Sequence, residues 1–129
     1  MVRKALVAAI ILIVVGAGSA AGAAPSTGAV PSIRRTGHCD GTTTWSLSVT
    51  QYDATRLRVR FALANSTPGQ TWQLFGSDNG VRVFLVNRVV SPTGTASVRR
   101  YVKDRPGTDT IKATGLNSIG EGCIASLAY

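Results

Sequence analysis

The chain has 129 residues and carries fourteen Lys and Arg against six Asp and Glu, which gives a formal net charge of +8. This length fits one domain with a buried core. Its single histidine, His38, excludes a metal site built from several histidines.

Residues 1–23 have the anatomy of a secretory signal peptide. Arg3 and Lys4 give a positive start, an apolar run follows over residues 5–15, and an Ala-Gly-Ala motif ends at Ala23. We expect cleavage after Ala23, with a cut two residues earlier as an alternative. An uncleaved anchor is the competing interpretation, but the apolar run is shorter than the about 20 residues that span a bilayer. The sequence therefore predicts a secreted protein with no stable membrane insertion after cleavage.

Residues 24–38 contain small residues, prolines and two arginines without an apolar period, so we expect a flexible lead-in. The domain then spans residues 39–129. It holds two cysteines, Cys39 and Cys123, and export would place both in an oxidising compartment, where an even pair indicates a disulfide. Such a bond would close most of the domain into one loop and stabilise it by about 4–5 kcal/mol.

Apolar residues alternate with period two through most of the domain, and no window of helical length carries an apolar stripe. The seven predicted strands are residues 42–50, 56–64, 71–78, 81–90, 95–103, 109–115 and 123–129. They predict an all-β fold, a seven-stranded antiparallel sandwich of immunoglobulin or fibronectin type with one disulfide. Strands one and seven would run in the same direction, which brings Cys39 and Cys123 to one end of the sandwich.

Several anchors accompany this pattern, namely Cys39 with Trp45-x-Leu47, Gly69-Gln70-Thr71-Trp72, Asp78-Asn79-Gly80, Gly107-Thr108-Asp109-Thr110-Ile111-x-Ala113 and Cys123. With the signal peptide, they resemble a group of small secreted actinobacterial proteins of unknown function. The resemblance implies export and an immunoglobulin-like sandwich, and it implies no reaction. Residues 94–100 also resemble a strand of the secreted chromoprotein antibiotic carriers. Those carriers have two disulfides and are acidic, whereas this chain is basic and has one cysteine pair.

His38, Cys39 and Asp40 stand side by side and raise the question of a reactive site. A catalytic cysteine needs a free thiolate, which a disulfide removes. No G-x-S-x-G motif marks a serine nucleophile. Residues 77–80 begin like a calcium loop but lack the remaining ligands. We therefore expect no enzyme, no metal and no other cofactor, and we interpret His38 as an exposed residue beside a disulfide.

The second predicted strand carries Arg56, Arg58 and Arg60 on the face opposite its apolar residues. In the predicted fold the fifth strand is its neighbour, so Arg99, Tyr101 and Lys103 would extend the same basic patch. One hypothesis is attraction to an anionic cell-envelope polymer. The alternative is a charged face that serves solubility and prevents edge-to-edge pairing. Nucleic acid is not an expected partner outside the cell.

Asn79-Gly80 predicts a two-residue hairpin turn. A regular register would pair Phe75 with Phe84 and Leu74 with Leu85. One face would then carry Trp72, Leu74, Val83 and Leu85, and the other Phe75, Phe84 and Val86. We expect Trp72 to point inward, so that Phe75 and Phe84 form an apolar patch that is either covered by a loop or exposed to a ligand. Which face of residues 71–90 is buried stays open.

These patterns together predict a secreted, monomeric, non-enzymatic binding module that interacts with an anionic cell-envelope polymer or with another extracellular protein. Two alternatives stay open. A small-ligand carrier would use a pocket lined by Phe75 and Phe84. A protease inhibitor would need an exposed rigid loop, for which residues 65–70 and 116–122 are the candidates.

Overall fold

A computed structural model describes residues 30–129. The predicted signal peptide and the first part of the predicted lead-in lie outside the described residues. Eight strands follow in order: β1 Ser32–His38, β2 Thr44–Gln51, β3 Arg56–Ala64, β4 Thr71–Asp78, β5 Val81–Val89, β6 Ala96–Lys103, β7 Thr110–Asn117 and β8 Gly122–Ala128. Over residues 30–129 there is no helix that could cross a membrane.

The strands form two four-stranded antiparallel sheets. The first sheet has the order β1-β2-β3-β6, and the second has the order β5-β4-β7-β8. Alternating side chains of both sheets fill the core between them, with Leu47, Val49, Leu57, Val59, Phe61, Trp72, Leu74, Ile111 and Ala113 completely buried. The expected neighbours among the predicted strands, the second and the fifth, are β3 and β6, and their pairing is confirmed.

The number of strands differs from the prediction, which was seven. The predicted strands correspond to β2 to β8, and β1 is an additional edge strand within the segment that we predicted to be a flexible lead-in. Its backbone pairs with β2 from Ser32 opposite Thr50 to His38 opposite Thr44. Ile33 packs against the core, and the Trp45 indole covers Gly37, where a Cβ would lie 2.5 Å from the ring.

The hairpin between β4 and β5 turns at Asn79 and Gly80, whose φ angles are +49° and +83°, and this confirms the predicted two-residue turn. The predicted register is wrong beyond the first two pairs. Val83 has no partner and forms a β-bulge, so that Gly76 lies opposite Phe84 and the pairs that follow are shifted by one residue. The bulge forms because the Phe84 ring occupies the space above Gly76, where a Cβ would lie 2.1 Å from the ring.

A shift of one residue exchanges the two faces of a strand. Phe84 therefore joins Trp72 and Leu74 in the core, with 4% of its surface exposed, whereas Leu85 lies on the outer face at 46% exposure. The predicted grouping of Leu85 with Trp72 is thus wrong. The inward orientation of Trp72 is confirmed, and its Nε1 donates a hydrogen bond to Ser66 Oγ at 2.9 Å.

The predicted disulfide between Cys39 and Cys123 is present, with the two Cα atoms 4.3 Å apart. β2 and β8 run in the same direction, so both begin at one end of the sandwich. Cys39 precedes β2 and Cys123 begins β8, and the two cysteines therefore meet at that end. Hydrogen bonds beside the sulfurs join the same segments, since Asp40 donates its N–H to the Gly122 carbonyl and accepts the Gly122 N–H through Oδ1. The bond therefore connects the edge of the first sheet to the edge of the second.

Candidate functional site

The outer face of the first sheet brings the predicted basic residues together. Arg56 lies opposite Lys103, Arg58 opposite Tyr101 and Arg60 opposite Arg99 on the paired strands β3 and β6. Alternation places all of these side chains away from the core. We call this surface, together with Arg34, the basic face; its members are Arg34, Arg56, Arg58, Arg60, Arg99, Tyr101 and Lys103.

Arg34 was missed by the sequence analysis because it lies on β1. Arg34 pairs with Ser48 of β2, and Ser48 in turn pairs with Arg60 of β3. Arg34, Arg60 and Arg99 therefore lie in one row across the first sheet, and Ser48 lies between Arg34 and Arg60. The short alternation of Arg34 with Ile33 was the available signal, and a single inward apolar residue was too little to identify a strand.

Arg56 differs from its neighbours because it is held by protein groups. Its Nη2 lies 2.7 Å from Asp53 Oδ2, and its guanidinium stands over the rings of Tyr52 and Tyr101 at 5.0 and 6.0 Å. The Thr55 N–H and the Arg56 side chain lower the pKa of Asp53 to about 2, while Asp53 raises the pKa of Arg56. Arg56 thus stabilises the loop before β3 and contributes less to a free positive surface.

The other arginines of the basic face have no carboxylate partner among residues 30–129, where the pair of Arg56 and Asp53 is the one salt bridge. Arg60 and Arg99 are direct cross-strand neighbours. Side chains at such positions have Cβ atoms about 4.5–5.5 Å apart, and two like charges there destabilise a sheet. An anion bound between the two guanidinium groups would remove this repulsion.

A groove of about 600 Å³ crosses the first sheet beside these arginines. Short side chains form its floor at one register on all four strands, and these residues are Thr36, Ser46, Ala62 and Ser97. Arg34 and Arg60 stand on one side of the floor, and His38 and Thr44 stand on the other. The groove exists because the residues of the floor are much shorter than the flanking arginines.

The predicted ligand pocket between Phe75 and Phe84 does not form. The bulge at Val83 places Phe84 in the core, while Phe75 stays on the outer face of the second sheet with 37% of its surface exposed. Phe75 instead lies in an outer row with Leu85, Thr114 and Ile124. The second sheet therefore has an apolar outer row, but the two phenylalanines do not share it.

His38, Cys39 and Asp40 lie beside a second cavity of about 540 Å³, which Leu116 and Ile124 also line. No cysteine among residues 30–129 is free, so this end of the described chain offers no thiol nucleophile. Across the same residues, no three His, Cys, Asp or Glu side chains are grouped so that they could hold a metal ion.

Two buried carboxyl groups, Asp78 and Asp109, meet at the opposite end of the sandwich from the disulfide. Their exposed fractions are 2% and 0%, and both oxygens of Asp109 lack a hydrogen-bond donor. Burial, then the neighbouring Asp78 and Asp104, raises the pKa of Asp109 to about 6. Asp78 and Asp109 lie next to turn residues in the sequence, and no local signal there marks them as buried.

No family model matches the chain, and comparison with curated proteins and with solved structures gives no match either. The basic face and the groove are therefore the observations on which a function can rest.

Proposed function

We propose that the protein is an exported, monomeric, non-enzymatic binding module that attaches to an anionic cell-envelope polymer through its basic face. The observation that carries this proposal is the set of arginines on one sheet face without carboxylate partners among residues 30–129, namely Arg34, Arg58, Arg60 and Arg99. A surface of one charge sign raises the local concentration of a polyanion and speeds its association.

We further propose an immunoglobulin- or fibronectin-like sandwich, of the kind found in the secreted actinobacterial group that the sequence resembles. Strands β2, β3 and β6 facing β5, β4, β7 and β8 support this assignment, with β1 as an addition at the edge. The predicted signal peptide at residues 1–23 and the disulfide support export, because disulfides persist in oxidising compartments.

A second candidate function is binding to another extracellular protein, such as a protease, through residues 116–122. Asn117 Oδ1 accepts hydrogen bonds from the N–H groups of Ile119 and Glu121 at 3.1 and 2.8 Å, which fixes this turn. Ile119 projects from it with 72% of its surface exposed. Inhibition of a panel of extracellular proteases that is lost in Ile119→Asp would favour this candidate. If the unmodified protein inhibits none of them, it does not act as a protease inhibitor.

The proposal on the basic face is tested by retention on immobilised poly(glycerol phosphate) at increasing NaCl concentration. We expect retention that weakens with salt, because exposed charges are screened. The double variant Arg58→Glu with Arg60→Glu should lose retention. A matched control with the same change in charge is Arg82→Glu with Lys112→Glu, since both residues pair with Ser77 on the second sheet. Salt-independent retention, or an equal loss in both variants, would refute the proposal.

A further inference from the structure

The floor of the groove and the row of arginines formed by Arg34, Arg60 and Arg99 lie two residues apart along the same strands. On β3 the groove floor is at Ala62, and the arginine row is two residues earlier at Arg60. Two residues of an extended strand span about 6.7 Å. A polymer lying along β3 would therefore pass from a strongly positive site to an uncharged one within that distance.

The chemistry of the two sites differs. The arginine row presents planar guanidinium forks, which bind the oxygens of a phosphate in pairs. The groove floor presents the hydroxyl groups of Thr36, Ser46 and Ser97 and the methyl group of Ala62. Hydroxyl groups both donate and accept hydrogen bonds, so they match the hydroxyl groups of a polyol.

We infer that the groove is a binding site for the polyol unit of a phosphodiester-linked polymer, with an adjacent phosphate of the same polymer between Arg60 and Arg99. This inference rests on the proposed function, because the basic face must first bind the polyanion. It adds the source of specificity, since charge alone does not distinguish one polyanion from another. A three-carbon polyol with its phosphate spans the step from the arginine row to the floor.

The shape of the groove supports a unit of this size. A volume of about 600 Å³ lies within the range of small-molecule sites. Arg60 rises beside the floor on the same strand as Ala62, so that a unit lying on Ala62 has its negative neighbour within reach of the Arg60 side chain. The charge of the rim is thus complementary to the phosphodiester that follows the polyol.

The test compares two polymers at equal phosphate concentration, poly(glycerol phosphate) and inorganic polyphosphate, which has no polyol. The variant Ala62→Tyr fills the groove floor without changing the charge, and an aromatic residue suits an outward strand position. Ser126→Tyr is the matched control, because Ser126 points outward on β8 of the second sheet. We expect Ala62→Tyr to weaken poly(glycerol phosphate) binding at least tenfold and to leave polyphosphate binding unchanged, while Ser126→Tyr changes neither.

Four results would overturn the inference. Unchanged binding of both polymers to Ala62→Tyr means that the groove is not used. An equal loss of both polymers means that the substitution acts through the charged surface. Equal affinity of the unmodified protein for both polymers means that the polyol is not recognised, although the proposed function stands. Absence of binding to either polymer refutes the proposed function itself, and with it the inference.

Discussion

Asp78 and Asp109 are buried carboxyl groups that lie close together. Most substitutions in a protein core lower the free energy of unfolding, but replacing Asp109 by its amide should raise it. Asp109→Asn keeps the shape of the side chain, and its amide can donate a hydrogen bond to Asp78 without carrying charge. We expect the variant to be more stable than the unmodified protein at neutral pH, since desolvation of an unpaired carboxylate is removed.

The size of the effect follows from the pKa of Asp109, which is about 6 in the folded protein against an ordinary value of 3.8. The folded chain holds the proton more tightly, so this group contributes stability that is fully present below about pH 4 and is lost as pH rises to about 6. Each pH unit between these limits corresponds to about 1.4 kcal/mol, giving about 3 kcal/mol in total. We therefore expect Asp109→Asn to gain up to about that amount at pH 7.5 and little at pH 3.5.

Urea unfolding of both proteins from pH 3.5 to 7.5 measures this difference. The difference between variant and unmodified protein isolates Asp109 from the other titrating groups. A variant that is less stable at pH 7.5, or a difference that does not change with pH, would refute the reasoning. Stabilisation of the unmodified protein alone by calcium would show instead that the two carboxyl groups hold a cation.

Three further predictions test the fold. Phe84→Ala should cost about 3–5 kcal/mol of unfolding free energy and Phe75→Ala much less, because Phe84 is in the core; equal costs would contradict the bulged register. Gly76→Ala should cost about 1–3 kcal/mol by crowding the Phe84 ring, and a neutral effect in thermal unfolding would argue against that contact. Replacing both Cys39 and Cys123 by Ala should lower stability by about 4–5 kcal/mol in urea unfolding, and thiol labelling of the unreduced protein would disprove the disulfide.

The core strands were predictable from local alternation. In β3 the residues Leu57, Val59, Phe61 and Leu63 are buried and the arginines between them face outward, as their period of two requires. The disulfide was predictable from strand direction, because six reversals separate β2 from β8, so that both strands begin at the same end of the sandwich. The basic face followed from these two results, since it is the outer side of β3 and its neighbour.

Features that depend on contacts between distant residues were not predictable. β1 has one inward apolar residue, Ile33, and owes its place to backbone pairing with β2 and to the fit of Trp45 against Gly37. The bulge at Val83 depends on the missing side chain of Gly76 on the opposite strand. Neither the pairing of β1 nor the bulge alters the alternation of apolar and polar residues within its own strand. That alternation is the only signal that the sequence of a single strand provides.

The position of the disulfide determines how the domain responds to a mechanical load. Pro31 and Tyr129 lie together at the end opposite the disulfide, where the Tyr129 hydroxyl donates to the Pro31 carbonyl at 3.2 Å. A pull applied at these two residues passes along β1 and β8 to Cys39 and Cys123 and then through the sulfur bridge. The chain between the cysteines, a sequence separation of 84, cannot be extended while the bridge holds. A tethered domain would therefore lose its outer strands first and keep β3 and β6 paired under tension.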